Sequence, residues 1–254
     1  MQIIIYALLN YINCAIKQDT NYEIAKCLLK NIDKIEKLSL EETANLCHVS
    51  VSTLNRFCRI IGFSNFSTLR HFIKIKEDVS LHFESNKTDP SEKKTLEKMN
   101  ENMESIENIP MHLFDEISHL IHHSNRVILL GFGEFQFPAL YFQNQMLSLG
   151  KLVEICGQIN QNEVNEVNVE KNDLVIITSV HGNYLLANQK KIRQWNCRKV
   201  LLTQIQNQDL VSQYDLILKY GIHDDERLRK YTIMRVYEKI ILNYYQHYHR
   251  KEKD

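Results

Sequence analysis

Between Ser50 and Arg59 the chain sets short hydroxyl side chains beside one amide and two guanidinium groups: Ser50, Ser52, Thr53, Asn55, Arg56 and Arg59, with Val51 among them. On one helix these residue types suit double-stranded DNA. Hydroxyls near a helix N-terminus approach phosphates or base edges, an asparagine amide matches adenine, and a guanidinium pairs with guanine or with a phosphate. Which arginine takes which role is left open. A second set lies in two loops, each after a short apolar run. GFGEFQFPAL carries Gly131, Gly133, Glu134 and Phe135, and SVHGNYLLAN carries Ser179, His181, Gly182, Asn183 and Tyr184. Backbone N–H groups, a hydroxyl and an imidazole suit a small anion there, although a lone GxG is equally a tight turn. Glu134 and His181 also carry the chemistry of a general base for aldose–ketose isomerisation. A turn glutamate and a single loop histidine more often face solvent, and the chain is read as a non-enzyme.

The first set needs a helix that presents it. In SLEETANLCHVSVSTLNRFCRIIGF, from Ser39 to Phe63, two helical segments meet at a tight break over 47–49. Ser39 with Glu42 three residues on has capping-box form, and so has Thr20 with Glu23. Ser50 can cap the second segment, and Gly62 can end it in a left-handed conformation. Leu54, Phe57, Cys58 and Ile61 then point inward, while the polar set faces out. This is the pattern of a helix-turn-helix. The rest of the first part repeats apolar residues at three- and four-residue steps and reads as helical throughout.

The second set needs a sheet. Apolar runs at 127–131, 151–156, 173–179, 199–203 and 215–219 alternate with helical segments, which predicts a parallel five-stranded sheet covered on both faces. In such sheets ligands sit beyond the carboxyl ends of the strands, where both loops fall. Between the two patterns, residues 86–108 are polar and charge-rich with Pro90 near their start. The expected organisation is a helical domain over 1–85, a linker and connecting helix over 86–108, and an α/β domain over 109–254.

Composition narrows the classes. Thirty-one basic residues balance 31 acidic ones, so any contact with DNA must be local. From Met1 to Ser80 ten Lys and Arg stand against eight Asp and Glu, a net charge of +2. Six cysteines without C-x-x-C spacing read as reduced thiols of a cytosolic protein, and no metal or other cofactor is expected. His247 and His249 on the last helix, read over 227–249, are two residues apart and do not share a face. The apolar start, Met1–Ile16, has no basic n-region and carries Asn10 and Asn13, so it reads as a packed helix. No run approaches ~18 apolar residues, and a cytoplasmic protein is expected.

The run from Ile24 to Leu69 resembles the N-terminal domain of RpiR/MurR-type regulators. The likeness rests on S-L-x-E-x-A, on V-S-x-S-T-x-x-R-F at Val49–Phe57, and on G-F-x-x-F-x-x-L at Gly62–Leu69. It implies Ser50, Ser52, Thr53 and Arg56 at the DNA and a further helix, Ile3–Lys17, packing the domain or a partner subunit. Residues 127–245 resemble the sugar-isomerase-type (SIS) domain of that family, an αβα layered fold. The resemblance implies a homodimer or homotetramer on operator DNA, with a sugar phosphate as effector. Here the chain departs from the family pattern: Phe135, His181 and Tyr184 stand where the family has hydroxyl residues. Either an altered anion site or a filled, vestigial cavity that stabilises a dimer follows from the substitutions.

Overall fold

The computed structural model describes residues 2–74, 92–131, 135–156, 168–180, 182–204 and 212–249. The chain divides into two compact units, the first holding the N-terminal helices and the second the described residues from Glu92 onward. The expected boundary at 85/86 lies outside the described residues.

The first unit is helical: α1 (Gln2–Cys14), α2 (Thr20–Lys30), α3 (Ile32–Ile35), α4 (Leu40–Leu46), α5 (Val51–Ile60) and α6 (Phe66–Lys74). Its core collects Ile4, Leu8, Ile24, Leu28, Ile35, Leu54, Phe57, Phe63 and Leu69, all essentially without exposure. Two expectations shift here. Helix α1 ends at Cys14, short of Lys17. Helix α2 is capped by Asp19, whose Oδ1 accepts the Tyr22 N–H at 3.0 Å, so Thr20 is its first residue and forms no box with Glu23. A carboxylate is the stronger acceptor at a positive helix end. The Ser39 box is present: Ser39 Oγ accepts Glu42 N–H at 3.2 Å, and the Glu42 carboxylate accepts Ser39 N–H at 2.7 Å.

The second unit carries α7 (Glu92–Glu107), α8 (Met111–His123), α9 (Gln136–Ser148), α10 (Asn183–Gln194) and α11 (Glu226–Tyr244) around strands β1 (Val127–Leu130), β2 (Val153–Cys156), β3 (Leu174–Ser179), β4 (Arg198–Thr203) and β5 (Leu216–Lys219). All neighbours pair in parallel in the order β2-β1-β3-β4-β5. Alternation along each strand makes two cores. Val127, Leu129, Ile176, Val200 and Leu202 pack with α8, α9 and α11, and Ile128, Leu130, Val175, Ile177 and Leu201 with Leu185 and Ile192 of α10 and with Trp195. The unit is therefore a three-layer αβα sandwich with a five-stranded parallel sheet.

The helix expected to connect the domains, α7, packs into this second unit. Fully buried Asn102 accepts the N–H groups of Ile222 and His223 through Oδ1, both at 2.8 Å, and donates to His223 O at 3.0 Å. The last helix also differs from expectation: α-helical bonding stops at Tyr244 and a π-helical turn follows over Tyr245–His249.

Candidate nucleic-acid interface and candidate ligand site

The turn between α4 and α5 is built from backbone hydrogen bonds. Val49 N–H reaches Ala44 O at 2.9 Å and His48 N–H reaches Asn45 O at 3.0 Å, a Schellman closure with His48 at φ 54° in the position usually given to glycine. Ser50 then caps α5, its Oγ accepting Thr53 N–H at 3.2 Å. The same oxygen lies 2.9 Å from Ser52 Oγ and 2.8 Å from Thr53 Oγ1, so three hydroxyls form one connected cluster at the helix start. The helix closes by the same device, with Phe63 N–H on Cys58 O at 2.8 Å and Gly62 at φ 92°.

The resulting surface is close to the expected one. Leu54, Phe57, Cys58 and Ile61 are buried, and burial pushes the Cys58 thiol up to about 12. Ser50, Val51, Ser52, Arg56 and Arg59 are exposed and Thr53 is half-exposed. Ser52, Thr53, Arg56, Arg59 and Ile60 line one concave stretch of surface. Ile60 was absent from the sequence-based set because an aliphatic residue carries no polar signal; its place one turn beyond Arg56 was the available clue.

Asn55 also serves the fold. Its side chain turns to the following helix, where Oδ1 accepts Phe66 N–H at 3.0 Å. Asn65 caps α6 itself by accepting Thr68 N–H at 2.9 Å, so Asn55 satisfies a second donor that the helix start leaves open. Reading adenine uses both ends of an amide. Asn55 has committed its acceptor to the fold.

In the second unit the strand order reverses between β1 and β3. In an open parallel sheet that reversal opens a crevice at the carboxyl ends of the two strands. Gly131 follows β1 there, Ser179 ends β3, and Val180 and Gly182 follow it. Gly182, at φ 80°, is the N-cap of α10, and its N–H is accepted by Ser179 Oγ at 3.2 Å. Thr203 at the end of β4 donates to Ser179 O at 2.6 Å. Phe135 is 7% exposed and belongs to the core beneath α9, so the ring that replaces a family hydroxyl is a packing group. A methyl at Gly131 would meet Phe135 Cβ at 3.5 Å and Ala139 Cβ at 3.9 Å, ordinary contact. Packing therefore does not demand glycine at 131. Gly133, Glu134 and His181 lie outside the described residues, as do the side chains of Asn183 and Tyr184. Among the described residues no group of three or more His, Cys, Asp or Glu could hold a metal ion, and no helix is long and apolar enough to cross a membrane.

Residues 7–80 match the helix-turn-helix domain of the rpiR family. The chain carries an rpiR-family helix-turn-helix domain at its N-terminus. An uncharacterized HTH-type transcriptional regulator from Providencia stuartii is 23% identical over 216 residues, covering 79% of this chain and 75% of that protein. The NanR protein of Vibrio vulnificus, solved in complex with ManNAc-6P, superposes with a TM-score of 0.51 at 15% identity, over 98% of this chain and 94% of that one. The sugar isomerase domain of an RpiR transcription factor from Sphaerobacter thermophilus gives 0.50 at 14% identity, over 63% of this chain and 89% of that one. These structures establish the SIS-like fold of the second unit. The helix-turn-helix match and relatives named as transcriptional regulators support a DNA-binding, non-enzymatic role.

Proposed function

We propose that this regulator acts in the cytoplasm as a homodimer that reads a pseudo-palindromic operator with α5, through Ser50, Ser52, Thr53, Arg56 and Arg59, with Val51 and Ile60 in apolar contact. The observation that carries the reading is the outward row on α5: hydroxyls clustered at its start and two exposed arginines one turn apart, on a helix whose other face is buried. Dimerisation is assigned to α9, which has no charged residue and exposes Phe137, Leu140 and Leu147 along one side at spacings of three and seven. Duplexes selected from a random pool by the full-length protein test the reading. Two inverted half-sites about one helical turn apart support it, and a pool that enriches no motif overturns it. Leu140→Glu with Leu147→Glu is expected to give monomers in sedimentation and to lose the two-site footprint.

The second unit takes a small anionic effector, for which a sugar phosphate is the leading class. The switch point between β1 and β3 supports this, as does the bare backbone at Gly131, which packing does not require. The NanR neighbour, solved with a sugar phosphate, supplies the ligand class. The remaining residues of the site are Gly133, Glu134, Ser179, His181, Gly182, Asn183 and Tyr184, with Phe135 packed in the core beside it. A bound ligand raises the melting temperature by mass action, so a panel of sugar phosphates is screened by thermal shift. Gly131→Ala should leave the unliganded melting temperature in place and abolish the shift. If no ligand shifts the wild type, the second unit is a ligand-independent dimerisation module.

A further inference from the structure

The helix-turn-helix unit holds a feature that DNA reading does not use. Cys27 on α2 and Cys47 at the end of α4 are 20 positions apart in sequence, yet their sulfurs lie 2.7 Å apart. This is closer than two unbonded sulfurs normally rest and about 0.7 Å longer than a disulfide bond. Both thiols are half-buried and free. The Cys47 S–H is directed at Cys27 Sγ, and Asn31 Nδ2 lies 4.0 Å from the same sulfur. The Cys27 S–H is in turn directed at Leu46 O, 3.5 Å away. Burial and the neighbouring sulfur lower the acidity of Cys47.

We propose that Cys27 and Cys47 form an oxidation site, closed reversibly into a disulfide by a peroxide. The Cys27 thiolate attacks one peroxide oxygen, and the O–O bond breaks to give a Cys27 sulfenic acid and hydroxide, which takes up the proton released by Cys27. The Cys47 sulfur then attacks the sulfenic sulfur; the S–O bond breaks, the S–S bond forms, and a second water leaves with the Cys47 proton. Two thiols and hydrogen peroxide become one disulfide and two waters, with the sulfur pair losing two electrons and the peroxide gaining them. Cys47 directly precedes His48, the left-handed residue of the turn into α5. The bond therefore ties α2 to the turn that aims the DNA-reading helix. Because the sulfurs already touch, closing it moves neither helix far, and its effect is to lock this unit against unfolding.

The test treats the full-length protein with one equivalent of hydrogen peroxide, blocks remaining thiols with iodoacetamide, and maps tryptic peptides by mass spectrometry. A Cys27–Cys47 linked peptide should dominate, disappear with dithiothreitol, and be absent from Cys27→Ser and Cys47→Ser. Closing a loop of this length should raise the melting transition of the helical unit by roughly 12–25 °C in the wild type and in neither variant. Cys27→Ala serves as a second variant should serine disturb packing. Peroxide consumed first at exposed Cys14, or sulfinic acid at Cys27 with no linked peptide, would overturn the proposal. So would a melting shift that persists in the variants.

Discussion

Replacing Asn55 by alanine separates a fold role from a base-reading role. The Asn55 side chain reaches the next helix, Oδ1 accepting Phe66 N–H at 3.0 Å across the junction of α5 and α6. Removing the acceptor leaves the first N–H of α6 without a partner in a half-buried setting. Losing a helix-start acceptor costs about 0.5–2 kcal/mol, and leaving a buried donor unpaired about 1–3 kcal/mol, so about 1–2 kcal/mol is expected. For a unit of this size 1 kcal/mol moves the midpoint by about 4–8 °C, so the helical unit should melt roughly 5–15 °C lower. Circular dichroism follows that unit, while fluorescence of Trp195, the only tryptophan and buried in the other unit, serves as an internal control that should not move. Asn55→Asp keeps the acceptor and should keep the midpoint. Operator affinity of Asn55→Ala, measured well below its melting point, should stay within about threefold of wild type. An unchanged midpoint with a tenfold loss of affinity confined to operators carrying one particular adenine would refute the assignment.

Three further outcomes follow from the same geometry. His48→Gly relieves a side chain held at φ 54° and should stabilise the helical unit by about 1 kcal/mol in urea unfolding; a loss of stability would mean that the imidazole makes a needed contact. Tyr237→Phe strands the Thr178 hydroxyl, 2.9 Å from the fully buried Tyr237 oxygen, and should cost the second unit about 1 kcal/mol; a neutral result would contradict the pairing. Asp225 caps α11 and is held far below the ordinary carboxylate range, chiefly by the Arg227 guanidinium and also by Lys98. A depressed folded pKa stabilises above the unfolded value near 4 and is lost as pH falls through the lower folded value. The stability of the second unit should thus fall less steeply between pH 5 and 2 in Asp225→Asn than in wild type.

The sheet was legible because its strands are unbroken Val, Ile and Leu runs that have no other stable place than between two helical layers; the observed strand ends fall within two residues of the apolar runs. The inward face of α5 was legible for the same reason, since Leu54, Phe57 and Ile61 recur at helical spacing, and the Ser39–Glu42 box is a purely local signal. What escaped was set by partners distant in sequence. Asn55 answers to a backbone donor 11 residues on, Cys27 to a thiol 20 residues on, and Asn102 to backbone groups 120 residues away. No periodicity encodes such pairings. Helix α2 shows a subtler miss: Thr20 and Asp19 are both competent caps, and geometry favours the carboxylate one position earlier. At the ligand site, residue type indicated the chemistry at Phe135 but not its direction, and the structure turns the ring into the core.

The most direct test of α5 as the DNA-reading helix is the salt dependence of operator binding for Arg56→Ala, Arg59→Ala and the double variant, on a duplex selected by the wild-type protein. A lost phosphate contact lowers the slope of log K against log salt by about one and weakens all sequences alike, whereas a lost base contact costs about 1–3 kcal/mol and relaxes specificity at one position. Each single variant should show one of these two signatures, and the double variant should lose at least tenfold in affinity while keeping its melting temperature. Affinity, slope and specificity all unchanged in the double variant would contradict the central claim.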